Sequence, residues 1–320
     1  MGPHPRFRLF GSLTFFILTF ATPVLASACA LPRQQAPGQA RESIIPVDSN
    51  WPGTRPYQIA ISEDGQYVVY QANTGEGWKM FLHRLGEPEA MEIPGLGETP
   101  YFAHITPKNE WLLFGKKAWM WKAPLRGGDL TKLVGANPWI VPDSDTTFIA
   151  LFSNTLRRYK ADGSSEYEQV AGLETATGAT NYHRPALLTD GKGALVSVGY
   201  GTGADNREIG VVSFATGELT TISERAINPR YSESGHILYT QGNTLEAIPF
   251  DLETLQPAGD PAVVVEGVHV LSNLASQFDI SRTGVLVYVP GPYQASESMP
   301  KTLVWVDRYG HESPMSTRER

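Results

Sequence analysis

Cysteine is nearly missing from this chain: Cys29 is the only one in 320 residues. A single thiol cannot form an internal disulfide, and it cannot supply a thiolate zinc site. Histidine is sparse as well. The seven histidines are scattered, with no H-E-x-x-H and no close pair. Positive charge is outnumbered, with 26 lysines and arginines against 33 acids. A dedicated nucleic-acid binder normally shows a basic face or excess, so that class is set aside. The basic run Arg157-Arg158-Tyr159-Lys160 is short and reads as a solvated strand edge. No stretch shows a 3.6-residue apolar period, so helices are not expected to build the core. No G-x-S-x-G is present, which removes the nucleophile elbow of an α/β-hydrolase.

What is present begins with an export pattern. Arg6 and Arg8 are followed by a nearly unbroken apolar run from Leu9 to Leu25, then by Ala26-Ser27-Ala28. A basic start, an apolar centre and a small-residue end make residues 1–28 a secretory signal. The apolar centre is shorter than the ~20 residues that cross a bilayer as a helix, and Pro23 interrupts its end. Ala26-x-Ala28 fits ordinary signal cleavage. The same stretch resembles a bacterial lipobox, with Ser27 and Ala28 before the cysteine that receives the lipid. Ala26 departs from that pattern, because leucine is usual three places before the cysteine. Lipidation of Cys29 is the adopted reading, with incidental placement after a plain cleavage site as its rival. Loss of Arg6 and Arg8 makes the net charge of −7 more negative still. Residues 29–41 are rich in Pro and Gln and read as a flexible tether.

The remainder repeats about every 44 residues. The first copy, IAISEDGQYVVY over 59–70, is strand, tight turn, strand. It returns as FAHITPKNEWLLF, WIVPDSDTTFIA, PALLTDGKGALVSV, PRYSESGHILYT and FDISRTGVLVYV. The residues at the Ser62 place are Thr106, Pro142, Thr189, Ser232 and Ser281. Each hairpin is followed by a third apolar run, such as WKMFLHRL, and all but the last by a short fourth, such as AMEIPG. Four strands per unit, six times over, predict an all-β, six-bladed β-propeller of antiparallel blades across 42–315. The units run roughly 57–98, 99–136, 137–179, 180–226, 227–268 and 269–315, and 316–320 is a tail. The sixth unit lacks a clear fourth strand. The strand-like 42–47 is therefore expected to pair beside 301–308 and close the ring.

The Ser62-Glu63-Asp64-Gly65 hairpin with its following strands resembles the WD40-like, TolB-type propeller repeat; Thr106-Pro107 keeps that repeat's proline. The stretch 232–268, then FDISRTGVLVYVPG and TLVWVDRYG, is similar to propeller ectodomains of bacterial receptor-type Ser/Thr kinases. The resemblance spans about 42–310. TolB itself carries an α/β domain before its propeller, and only about a dozen residues separate Cys29 from the first strand here. Binding to a TolB partner is therefore not carried over. The kinase half has no counterpart either: no glycine-rich loop with a lysine strand, no His-Arg-Asp and no Asp-Phe-Gly occur.

A propeller offers a concave site around its axis, assembled from separate blades. Tyr57, Tyr101, His104, Trp139, His183, Arg184, Arg230, Gln277 and Asp279 lie on or just before first strands and are the candidate ligand-binding residues. Arg184 and Arg230 are costly to bury unpaired. They are expected either to pair with acids across blades or to hold an anion. No catalytic residue and no metal ligand is assigned, and no cofactor is expected. An axial Ca²⁺ held by oxygens such as those of Asn181, Asn228 and Asp279 is the alternative. Asp143-Ser144-Asp145 sits at a hairpin turn and reads as an Asx turn. The expected function is an exported, monomeric, non-enzymatic binding scaffold of the bacterial envelope. It would sit in the periplasm, with the membrane touched only through a lipid on Cys29, and would recognise a protein, peptide or glycan. The alternatives are a channel-site hydrolase or lyase using Ca²⁺, and a stand-alone ligand sensor.

Overall fold

The computed structural model describes residues 59–291 apart from 75, 88, 98–99, 136–138, 174–177, 201–205 and 272, together with strands at 13–19, 43–45, 304–306 and 312–314. All of its regular elements are strands. Two lie near the N-terminus, β1 (Leu13–Thr19) and β2 (Ser43–Ile45). Blade 1 is β3 (Ile59–Ile61), β4 (Tyr67–Asn73), β5 (Trp78–Arg84) and β6 (Met91–Glu92). Blade 2 is β7 (Tyr101–Ile105), β8 (Trp111–Lys116), β9 (Trp119–Pro124) and β10 (Thr131–Gly135). Blade 3 is β11 (Trp139–Pro142), β12 (Thr147–Phe152), β13 (Thr155–Lys160) and β14 (Tyr167–Gly172). Blade 4 is β15 (Asn181–Leu187), β16 (Gly193–Gly199), β17 (Arg207–Ser213) and β18 (Leu219–Glu224). Blade 5 is β19 (Ala226–Ser232), β20 (His236–Gln241) and β21 (Thr244–Asp251), its outer edge shared by β22 (Gln256–Pro257) and β23 (Ala262–Val265). Then come β24 (Phe278–Ile280), β25 (Val285–Tyr288), β26 (Val304–Val306) and β27 (Glu312–Pro314).

The fold is an all-β propeller of five blades, each built from consecutive chain, not the six expected. The sixth repeat contributes only the β24–β25 hairpin. Its sheet is completed from the far end of the chain, in the order β2-β1-β25-β24. Among the described residues the expected pairing of 42–47 beside 301–308 is not found. Ser43–Ile45 pairs with β1, and Val304–Val306 pairs with Glu312–Pro314. The physical reason lies in β1. LTFFILT is a longer and more apolar β-former than ESIIPV, and Pro46 cannot donate to a ladder. The longer strand takes the β25 edge, with Phe16 opposite Tyr288 and Thr19 opposite Val285.

The core is a ring of seams between neighbouring sheets. The period of two along each second strand points successive residues at opposite neighbours. Val69 packs towards blade 2, and Val68 towards the β24–β25 hairpin. Leu112 and Phe114 join Val69, whereas Leu113 joins Phe148 and Ala150 of blade 3. Ile149 and Leu151 meet Ala194 and Val196 of blade 4, while Leu195 meets Ile237 and Tyr239 of blade 5. Leu238 meets Leu286, and Val287 returns to Val68 and Tyr70. These second-strand residues are almost completely buried, which is why the strands read as unbroken apolar runs.

The hairpin turns add polar links between blades. Asp64 accepts hydrogen bonds from Ser62 Oγ, the Gln66 amide and Asn109 Nδ2 of the next turn. Asp145 accepts from the Lys108 amide at 3.0 Å. Arg282 pairs with Glu63 at 3.1 Å across the closing seam. Gly65 adopts φ 72°, and a Cβ there would strike Thr283 and Val285. The turn hydrogen bonds align Leu188, not Thr189, with Ser62 and Thr106, because the amide of Gly191 returns to the carbonyl of Leu188.

Candidate functional site

Three first strands share one irregularity. In β7, β15 and β19 the register breaks so that Phe102-Ala103, Arg184-Pro185 and Asn228-Pro229 each face a single residue of the second strand. Phe102, Arg184 and Asn228 sit at φ 50°, 53° and 63°, where side chains other than glycine are strained. Such a bulge turns the following side chain. Proline is tolerated there because the ladder bond is already absent. The amide of Asn228 is satisfied instead by Ser197 Oγ of blade 4, at 3.0 Å.

The bulges divide the candidate residues between two ends of the axis. At the turn end lies a cavity of about 380 Å³, and all six first strands contribute to its wall, through Ile61, His104, Val141, Leu187, Arg230 and Asp279. Arg230 Nε donates to Asp279 Oδ1 at 3.0 Å, and the amide of Ile61 donates to Asp279 Oδ2 at 3.1 Å. Burial raises the carboxyl of Asp279 above its ordinary range, and Arg230 opposes this. His104 is pushed down to about 3 by burial and by the charge of Arg230, so it is a neutral imidazole at physiological pH. Glu63, Asp143 and Asp190 on the wall are engaged by Arg282, Arg158 and Lys192.

The end where the first strands begin is aromatic and cationic. Tyr101 lies edge-on to Phe102 at 5.1 Å, and Phe102 meets Trp139 at 4.5 Å. The Arg184 guanidinium lies 4.6 Å from the Trp139 ring centre. Arg207, which the sequence reading passed over, completes the group. Its Nη1 donates to Asn181 Oδ1 at 2.7 Å and to His183 Nε2. Gly199 makes this reach possible, because it stands between Asn181 and Arg207 across the sheet and a Cβ there would collide with both. His183 is lowered to about 3 by burial and by Arg207 and Arg184, as an acceptor from Arg207 should be. Burial, then Arg230 and Arg207, lower Arg184 to about 9.

A loop crosses this end. Val268 bridges Pro290, Val270 bridges Ser276, and Leu271 and Ala275 pack on Trp78 of blade 1. The loop also receives Asn228 Nδ2 on the carbonyl of Ser276 and Arg184 Nη2 on the carbonyl of Asn273, at 3.0 and 3.4 Å. Gln277 is buried in it, donating to the carbonyl of Ala275 while its own Oε1 finds no protein partner. Tyr57 and Cys29 lie outside the described residues. The oxygens of Asn181 and Asp279 are engaged separately, by Arg207 and by Arg230 with Ile61. Among the described residues no group of three His, Cys, Asp or Glu is gathered as a metal site.

No protein-family model matches the chain, and no curated protein matches it by sequence. Solved structures do match in shape. A putative TolB from Agrobacterium tumefaciens has a TM-score of 0.53 and 13% identity over 73% of this chain and 89% of its own. A luciferin-regenerating enzyme has a TM-score of 0.50 and 11% identity over 68% of this chain and 75% of its own. At these identities the likeness establishes the propeller fold, and that fold serves an enzyme and a TolB protein alike.

Proposed function

We propose that the chain is an exported, non-enzymatic propeller of the bacterial envelope that binds a protein, peptide or glycan at its axial cavity. The observation that carries this reading is the state of the cavity's polar groups. Every first strand reaches it, yet its acids are engaged by cations or amides and its histidine is held near 3. A general base works best with a pKa near the operating pH, which this histidine lacks. Fixed, mutually paired charges around a concave wall suit recognition. The export pattern over 1–28 and the TolB-like shape support a periplasmic place, with Cys29 as the lipid anchor.

Two measurements test it. Palmitate labelling of the wild type and of Cys29→Ala in cells should show label on the wild type alone. In-cell crosslinking of the tagged full chain should capture an envelope component, and Tyr231→Ala on the cavity wall should lose it. A chain found only in the cytoplasm, or turnover of a substrate that is lost in His104→Gln, overturns the reading.

A further inference from the structure

The two arginines of the bulged strands resolve differently. Arg230 has its carboxylate in Asp279. Arg184 is 8% exposed, more buried than most arginines in folded proteins, and among the described residues it forms no ion pair. A guanidinium carries five N–H donors. Among the described residues Arg184 has one acceptor for them, the carbonyl of Asn273 at the long distance of 3.4 Å. Arg207 beside it also lacks a carboxylate among the described residues, and its buried Nε finds no protein acceptor. A buried cation without a counter-charge is costly, and two cations that also repel each other are more so.

We propose that this end of the axis binds a small organic carboxylate, held by Arg184 and Arg207 against Trp139. The inference rests on the reading of the propeller as a binding module and names a second site, at the end where the first strands begin. The Arg184 guanidinium lies over the Trp139 ring, and its single carbonyl contact leaves N–H donors for a ligand. A carboxylate can meet such donors in a bidentate pair, and the aromatic surface beside them suits an organic acid over inorganic phosphate. Phe102, Trp139, His183 and Arg207 are all partly exposed, so solvent reaches the group. Phe102 and Trp139 form a partly exposed aromatic surface beside the two cations.

The test is titration calorimetry on the full chain at low salt, with sodium acetate, sodium benzoate, inorganic phosphate and the uncharged benzamide. Acetate and benzoate should saturate one site, benzoate more tightly, and benzamide should give no heat. Arg184→Gln and Arg207→Gln should each weaken benzoate at least tenfold. If Arg184→Gln does not fold, Arg207→Gln and Trp139→Leu decide. Failure of both carboxylates to bind, binding of phosphate alone, or benzoate affinity unchanged in the foldable variants overturns the proposal. Capture of an envelope component without carboxylate binding sinks this inference and leaves the cavity reading intact. Carboxylate binding without such capture does the reverse.

Discussion

Arg230 and Asp279 form an ion pair at 3.0 Å that joins blade 5 to the closing hairpin, and both side chains are at most 15% exposed. Asp279 also takes the amide of Ile61, so one carboxylate ties three neighbouring sheets. Removing one partner of such a pair leaves a buried charge without compensation. Asp279→Asn should cost about 3 kcal/mol in denaturant unfolding. Arg230→Gln in the Asp279→Asn background should add much less than it does alone. Strict additivity would show that the pair does not couple the sheets.

Acid should destabilise the fold earlier than carboxylate titration alone requires. His104 and His183 sit near 3 in the folded chain, against an ordinary value of 6.5. The unfolded chain therefore takes up protons first as pH falls through 6.5. Stability is full above about pH 7 and declines below it by up to about 1.4 kcal/mol per pH unit for each histidine. His183 is surrounded by Arg207 and Arg184, and His104 faces Arg230, so none of these neighbours favours protonation. Asp279, raised by burial, acts in the opposite sense at lower pH. Urea unfolding between pH 7.5 and 5 should show the slope, and His104→Gln with His183→Gln should flatten it.

Gly65→Ala should destabilise by about 2 kcal/mol, because it combines an unfavourable positive φ with a collision across the closing seam. Gly191→Ala shares the positive φ but has open space around the new methyl. It should cost about half as much, and thermal melts of the two variants check the difference.

Ser197→Ala leaves the buried Asn228 amide without its partner. A loss of about 1–3 kcal/mol is expected. Hydrogen exchange should rise at Asn228 and in the 268–277 loop that it holds through Ser276.

Much of the fold was legible because each propeller blade is a local object. Hairpin, third strand and turn residues such as Gly65 all lie within one stretch of chain. The count of blades and the closing strand were not legible, since the β25 edge is a competition between distant segments. LTFFILT was read for its apolar run as a signal, and that same run makes it the better strand. The pairing of Arg230 with Asp279 follows one of the two roles foreseen for that arginine. The bulges left a faint mark, a non-glycine residue followed by proline inside an apolar strand at Arg184 and Asn228. Arg207 left none, because its role depends on the missing side chain of Gly199 across two ladders.

The place of β1 sets an order of events. A chain with Leu13–Thr19 bonded to Val285–Tyr288 cannot thread the same seven residues through a membrane pore. If those residues direct export, closing of the ring in the cytoplasm is a dead end for delivery, and the transporter must engage the chain before its last hairpin is made. A mature chain that has lost them then arrives with the β25 edge vacant and ready for a strand from elsewhere.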